Sequence, residues 1–148
     1  MTLEFTVNVG KQGLKGSPTR DLFKFMHKQM CKEHWGCDLD FIWVMKSPQP
    51  DIVAGLDYKT ECDEVTFTEV IAYNALLFRG ISIYIVVGDA LTACFDVYQY
   101  MGGHHYKPRY TLEFICKTNS WEEFHLWQAE IREAFARRFS SDGQTHGR

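Results

Sequence analysis

Residues 37–59 read CDLDFIWVMKSPQPDIVAGLDYK. Two apolar runs, residues 39–45 and 52–58, flank a polar connection that contains Pro48 and Pro50. Proline has no N–H to donate to a neighbouring strand, so the two prolines indicate a turn. The flanking runs are therefore predicted to be the strands of a β-hairpin, and the rest of the chain is interpreted around it.

The hairpin brings acidic residues together. If it folds symmetrically about the middle of the connection, Asp40 lies opposite Asp57 and Asp38 lies opposite Lys59. Two opposed carboxylates repel each other unless a proton or a cation lies between them. Mg²⁺ prefers oxygen ligands and is commonly held by one or two carboxylates, with waters and substrate phosphates as further ligands. The pattern predicts a metal site beside Lys59, or alternatively a surface cluster in which the acids pair with Lys59 and bind no ligand.

The same residues carry a family resemblance. Asp40, followed after the hairpin by Asp57-Tyr58-Lys59, resembles the PD-(D/E)xK nuclease signature, although Leu39 stands where the family has proline. The sequence DYKT at 57–60, with Glu69 and Tyr73 on the following helix, is similar to the D-Y-K-T and Q-x-x-x-Y motifs of the RecB-like branch. Glu69 replaces the glutamine of that branch.

This resemblance implies a fold of the α/β class. We expect a single restriction-endonuclease-like domain over residues 1–139, with a central mixed sheet, an αβββαβ-type core and flanking helices. The polar segment 140–148 is predicted to be a disordered tail.

The resemblance also implies a chemistry. Asp40, Asp57, the backbone carbonyl of Tyr58 and Glu33 would bind one or two Mg²⁺ or Mn²⁺ ions. Lys59 would position the attacking water and help to deprotonate it, so that Asp40, Asp57, Lys59 and Glu33 form the implied catalytic set. For Glu33 the alternative is an ordinary surface glutamate at the end of a helix.

A basic ridge precedes the hairpin. Ser17 and Pro18 are typical of a helix N-terminus, and apolar residues recur at helical spacing to about His34. Lys24, Lys28 and Lys32 repeat every four residues along this helix, a spacing that can follow phosphates. We assign these lysines, together with Tyr73, to nucleic-acid binding; the alternative for the ridge is a solvated helix face, and for Tyr73 a core residue with a hydrogen-bonded hydroxyl.

Further elements follow from hydrophobic periodicity and from glycine and capping signals. The glycine-rich basic segment 102–109 is predicted to be a loop, which either contacts a nucleic-acid strand or is an ordinary hairpin connection. A helix between two strands that lie parallel implies a right-handed crossover. The predicted elements are strands at 3–9, 81–87, 95–101 and 110–116, a helix at 67–79 that ends at Gly80, and a last helix that begins with a capping box at 120–123.

Composition limits the function classes. The chain of 148 residues is 45% hydrophobic, which suits one domain with a substantial core. A net charge of −3 gives no overall attraction for nucleic acid, so such contacts need a local basic surface or metal ions. Five cysteines without regular spacing, and no signal peptide or long apolar segment, predict a reduced, cytoplasmic protein without a membrane partner.

The resulting hypothesis is a metal-dependent nuclease that hydrolyses phosphodiester bonds, of DNA more than of RNA. One alternative is a catalytically inactive module of the same fold that binds or inhibits a protein or nucleic-acid partner. Another is an unrelated α/β protein whose hairpin acids bind nothing. The aromatic face of the last helix either forms a homodimer or packs in the core of a monomer.

Overall fold

The computed structural model describes residues 18–27, 39–60, 63–104 and 109–145. They belong to two compact units, Met1–Gly36 and Cys37–Arg148. The prediction of one domain over residues 1–139 stays a prediction, and the strand predicted at 3–9 lies outside the described residues. In chain order the elements are α1 (Pro18–His27), β1 (Phe41–Met45), β2 (Asp51–Lys59), α2 (Phe67–Phe78), β3 (Ile83–Asp89), β4 (Cys94–His104), β5 (Arg109–Thr118) and α3 (Trp121–Thr145).

The second unit is built on one mixed sheet of five strands, in the order β1-β2-β3-β4-β5. Strands β2 and β3 are parallel, and every other neighbouring pair is antiparallel. Parallel neighbours need a crossover connection, which α2 provides. The α/β class with a mixed sheet and flanking helices is thus confirmed, whereas the restriction-endonuclease-like topology stays a prediction.

The β1–β2 hairpin has the predicted register at the end away from its turn. Phe41 pairs with Leu56, and continuing this register by one residue places Asp40 beside Asp57. Nearer the turn the register shifts by one residue, where Val53 is the extra residue of a bulge in β2. The observed turn is offset by one residue from the symmetric hairpin, and the extra residue of the bulge compensates for this offset. The pairing of Asp40 with Asp57 is therefore kept.

Each face of the sheet packs against one helix. Because successive residues of a strand point to opposite faces, Asp57 and Lys59 lie on the α2 face while Tyr58 lies on the α3 face. The α3 face has a core that includes Leu56, Tyr84, Val86, Phe95, Val97, Phe124 and Trp127. The α2 face has a core of Val65, Val70, Tyr73, Ile83, Ile85 and Tyr100.

Helix α2 begins and ends close to the predicted residues. Thr66 is the N-cap, and a capping box joins it to Glu69, the third residue of the helix. At the other end Gly80 has φ +79°, a left-handed conformation that glycine adopts without steric cost. Glycine therefore stops this helix, as the sequence predicted.

The segment predicted as a loop at 102–109 is partly strand. Gly102, Gly103 and His104 extend β4, and Arg109 begins β5. The extension is supported by Asn74 of α2, whose amide donates to the carbonyl of Gly103 at 2.7 Å and accepts from its N–H at 3.1 Å. Asn74 is distant from Gly103 in the sequence, so the glycines of the segment could not by themselves predict that β4 extends to His104.

Helix α3 opens with a modified capping box. The N–H of Glu123 donates to the hydroxyl of Ser120 at 3.2 Å, as predicted. The carboxylate of Glu123 instead accepts from the N–H of Asn119, one residue earlier, at 2.6 Å. The helix then continues to Thr145, into the segment predicted to be a disordered tail.

Candidate functional site

Two charged side chains are buried on the α2 face at the end of β2. Asp57 is 4% exposed and Lys59 is 7% exposed. They are two residues apart on a strand, so both point towards α2. Charged groups are almost never this deeply buried unless they are paired.

Lys59 forms two ion pairs. Its Nζ lies 3.1 Å from Oδ2 of Asp57, and on the other side it lies 3.0 Å from Oε2 and 3.3 Å from Oε1 of Glu69. Burial by itself lowers the pKa of Lys59, but the hydrogen bond to Glu69 and the charge of Asp57 outweigh it and leave the pKa above its ordinary value of 10.5. Lys59 is therefore a protonated ammonium at neutral pH.

Tyr73 fixes the orientation of Asp57. Its hydroxyl donates to Oδ2, the same carboxylate oxygen that Lys59 binds. The ring of Tyr73 is fully buried and meets the ring of Tyr100 edge to face, with centroids 5.3 Å apart. Tyr73 and Lys59 therefore bind the same oxygen of Asp57.

Asp40 approaches the site from just before β1. Its Oδ2 accepts the backbone N–H of Tyr58 at 2.9 Å. The pKa of Asp40 is raised, first because partial burial disfavours its charge, and then because Asp57 hydrogen-bonds its protonated form and is a neighbouring negative charge, while the Tyr58 amide acts in the opposite direction. The two carboxylates thus interact, as the hairpin register predicted. The side chain of Tyr58 lies on the other face, where its hydroxyl donates to the carbonyl of Gly88 at 2.7 Å, so only its backbone is available to this site.

The donor set fits a hard divalent cation. No group of three histidine, cysteine, aspartate or glutamate side chains within the described ranges is arranged around a common point that suits a metal ion. Two interacting carboxylates, from Asp40 and Asp57, nonetheless match the sparse protein ligation of Mg²⁺, which leaves most positions to water and phosphate. A cation beside the two acids would favour the charged form of Asp40, whose pKa is raised by burial and by Asp57.

Several predicted site residues are not placed by the structure. Glu33, Lys28 and Lys32 lie outside the described residues, and Lys24 lies in α1 with its side chain outside them. Tyr73 is placed, but its complete burial leaves it no surface to offer a nucleic acid in this conformation. Its observed contact is with Asp57 instead.

The described end of β4 lies far from Lys59. Lys59 pairs with Val87 of β3, and Val87 pairs with Asp96 of β4. His104 comes eight residues after Asp96 along the same strand. At about 3.3 Å per residue, that end of the hairpin is about 25 Å along the sheet from the row that contains Lys59. Residues 105–108 lie outside the described part.

Glu69 is the main site residue to which sequence reasoning gives no defined role, although its helical spacing from Tyr73 predicts that both can face the metal edge of the sheet or the substrate. The sequence Thr66-x-x-Glu69 is a capping-box signature and was visible in the chain. It indicates where the carboxylate sits at the start of α2 but not that Lys59 ends there, because that contact depends on how α2 packs on β2.

Within the described residues, none of the helices combines the length and the apolar character needed to cross a membrane.

Comparisons with protein-family models, with curated proteins and with solved structures found no match for this chain.

Proposed function

We propose that the protein is a metal-dependent nuclease that hydrolyses phosphodiester bonds, with DNA as the preferred substrate. One observation carries the proposal: Asp40 accepts the N–H of Tyr58 at 2.9 Å, beside Asp57, and the ammonium of Lys59 lies 3.1 Å from Asp57. Carboxylates that face each other suit a divalent cation, and an adjacent ammonium suits a phosphate oxygen or an attacking water. The proposed fold is the restriction-endonuclease-like one, with which the mixed sheet and flanking helices are consistent.

The roles follow from the contacts of each side chain. Asp40 and Asp57 would hold Mg²⁺ or Mn²⁺, which supplies charge stabilisation at the phosphate and a more acidic bound water. Lys59 is protonated, so it would orient the attacking water and donate to a phosphate oxygen rather than accept a proton. Tyr73 would keep Asp57 in one orientation through the hydrogen bond to Oδ2.

The proposal is tested by incubating the purified protein with labelled single-stranded and double-stranded DNA and RNA, in Mg²⁺, in Mn²⁺ and in EDTA. The Asp57→Asn and Lys59→Ala variants are expected to lose cleavage. Asp51→Asn and Lys46→Ala are matched controls, because these residues carry the same charges at the exposed turn end of the hairpin. Cleavage that persists in EDTA, or in both site variants, would contradict the assignment.

A catalytically inactive module is the second candidate. The observation that favours it is the double pairing of Lys59, since Asp57 and Glu69 together engage its ammonium. In that case Mn²⁺ would still bind through Asp40 and Asp57, but no nucleic acid would be cut. Mn²⁺ binding without cleavage, measured by calorimetry beside the cleavage assay, would select this alternative.

A further inference from the structure

Glu69 makes two kinds of contact with one carboxylate. Oε2 accepts the backbone N–H of Thr66 at 3.1 Å, which is half of the capping box of α2. The same oxygen lies 3.0 Å from Nζ of Lys59, and Oε1 lies 3.3 Å from it. A residue that only capped the helix would need neither of the contacts to Lys59.

The capping box restricts where this carboxylate can be. The N–H of Glu69 donates to the hydroxyl of Thr66 at 3.3 Å, and the carboxylate returns to the N–H of Thr66. The carboxylate of Glu69 is therefore held at the start of α2 by the backbone N–H of Thr66. Glu69 is a fixed acceptor placed by the first turn of α2, and its side chain is only 16% exposed.

Lys59 needs such an acceptor to have a defined position. A lysine side chain has four rotatable bonds, and a single contact to Asp57 leaves its ammonium free to move around that oxygen. Contacts to two acids, to Asp57 at 3.1 Å and to Glu69 at 3.0 Å, restrict the position of Nζ more than one contact would. Removing the carboxylate of Glu69 would leave Lys59 with its contact to Asp57, which is itself a proposed metal ligand.

We propose that Glu69 is a positioning residue that holds the ammonium of Lys59 in register with the Asp40–Asp57 pair for attack on a phosphodiester. This rests on the nuclease function proposed above. Glu69 does not touch the substrate in this role. It acts through Lys59, so the loss of its carboxylate should lower the rate of the chemical step while substrate binding is retained.

The test compares Glu69→Ala, Glu69→Gln and Thr66→Ala on the nucleic acid that the wild-type protein cuts best. Thr66→Ala is the matched control, because it removes the hydroxyl that caps α2 but keeps the backbone N–H that the Glu69 carboxylate accepts, and with it the contact between Glu69 and Lys59. Thr66→Ala should lower the melting temperature by about 3 °C through the damaged cap, and Glu69→Ala should lower it further, because it also removes an acceptor of the buried Lys59 ammonium. Only Glu69→Ala should lower kcat, by about tenfold to a hundredfold, with KM within about twofold.

Glu69→Gln separates the two contacts further. Its amide oxygen can still accept the N–H of Thr66 and can still accept from Lys59, but without charge. Compared with Glu69→Ala, this variant should therefore recover the part of the melting temperature that depends on the cap, and kcat should recover in part. Equal kcat values for Glu69→Ala and Thr66→Ala would overturn the positioning role alone. Absence of cleavage by the wild-type protein would instead overturn the proposed function, and the inference with it.

Discussion

Oδ2 of Asp57 lies 3.1 Å from Nζ of Lys59, and both side chains are buried between the sheet and α2. Burying two charges costs desolvation free energy that their attraction offsets only when the geometry is good and further hydrogen bonds complete it. Tyr73 supplies such a bond to Asp57, and Glu69 supplies one to Lys59. A buried pair of this kind is weak evidence for added stability.

Removal of one partner should destabilise the protein more than removal of both. Lys59→Met leaves the carboxylates of Asp57 and Glu69 without their shared cation, and we expect a loss of about 3 kcal/mol in the free energy of unfolding. Adding Asp57→Asn should recover part of that loss. Urea unfolding of the single and double variants measures both values. Lys46→Met, at the exposed turn, should stay within about 0.5 kcal/mol of the wild type. A double variant less stable than Lys59→Met would argue that Asp57 is stabilising without its partner.

The hydroxyl of Tyr73 should matter for cleavage as well as for stability. Tyr73→Phe removes a hydrogen bond to a buried carboxylate, which we expect to cost about 1–2 kcal/mol in unfolding free energy. It should also lower kcat, because Asp57 loses the donor that orients it. Tyr100→Phe is the control, since its hydroxyl bonds Asn74 at 2.8 Å on the same face and touches neither acid. If both variants cleave at the wild-type rate, Tyr73 is a core residue and nothing more.

Asp40→Asn should stabilise the protein and weaken its metal binding. The pKa of Asp40 is raised in the folded state, so its ionised form costs stability at pH 7, and that cost fades as the pH falls through the raised pKa towards 3.8. The neutral amide removes the cost and can still accept the N–H of Tyr58. We therefore expect a higher melting temperature than wild type at pH 7, and a difference that shrinks in acid.

Thermal unfolding with and without Mn²⁺ completes the test of Asp40. Mn²⁺ should raise the melting temperature of the wild type and have little effect on Asp40→Asn. Asp51→Asn is the matched control, because Asp51 also accepts a backbone N–H, from Ile52 at 2.7 Å, but at the exposed turn of the same hairpin. A gain in stability for Asp51→Asn equal to that of Asp40→Asn would show that the effect is one of net charge.

Alkaline unfolding should report on Tyr100. Burial raises the pKa of Tyr100 to about 12, from an ordinary value of 10.0. Its contribution to stability is therefore complete below pH 10 and is lost as the pH rises towards 12, because the unfolded chain releases this proton first. The wild-type advantage over Tyr100→Phe in urea should be constant from pH 8 to about pH 9 and smaller at pH 11. An advantage that does not change between pH 9 and pH 11 would contradict the assigned burial effect.

Local patterns predicted most of the described elements. The prolines at 48 and 50 predicted the turn of the hairpin, Gly80 predicted the end of α2, and Ser120 predicted the start of α3. These signals work because turns and helix ends depend on the backbone preferences of a few neighbouring residues. Where a distant side chain supplies the hydrogen bonds, as Asn74 does for Gly103, the local signal predicted a loop and the structure has a strand.

The sequence by itself predicted that Asp40 and Asp57 face each other, from the alternation of a strand and a symmetric turn. The observed turn alone would place Asp40 opposite Leu56, and the bulge at Val53 restores the predicted pairing. The sequence also determined that Asp57 and Lys59 share a face. Only the tertiary structure decided that Tyr73 binds Asp57 and that Glu69 binds Lys59. Those contacts depend on how α2 packs across β2. That packing results from the burial of apolar side chains over the whole face of the sheet, and no short stretch of the chain encodes it.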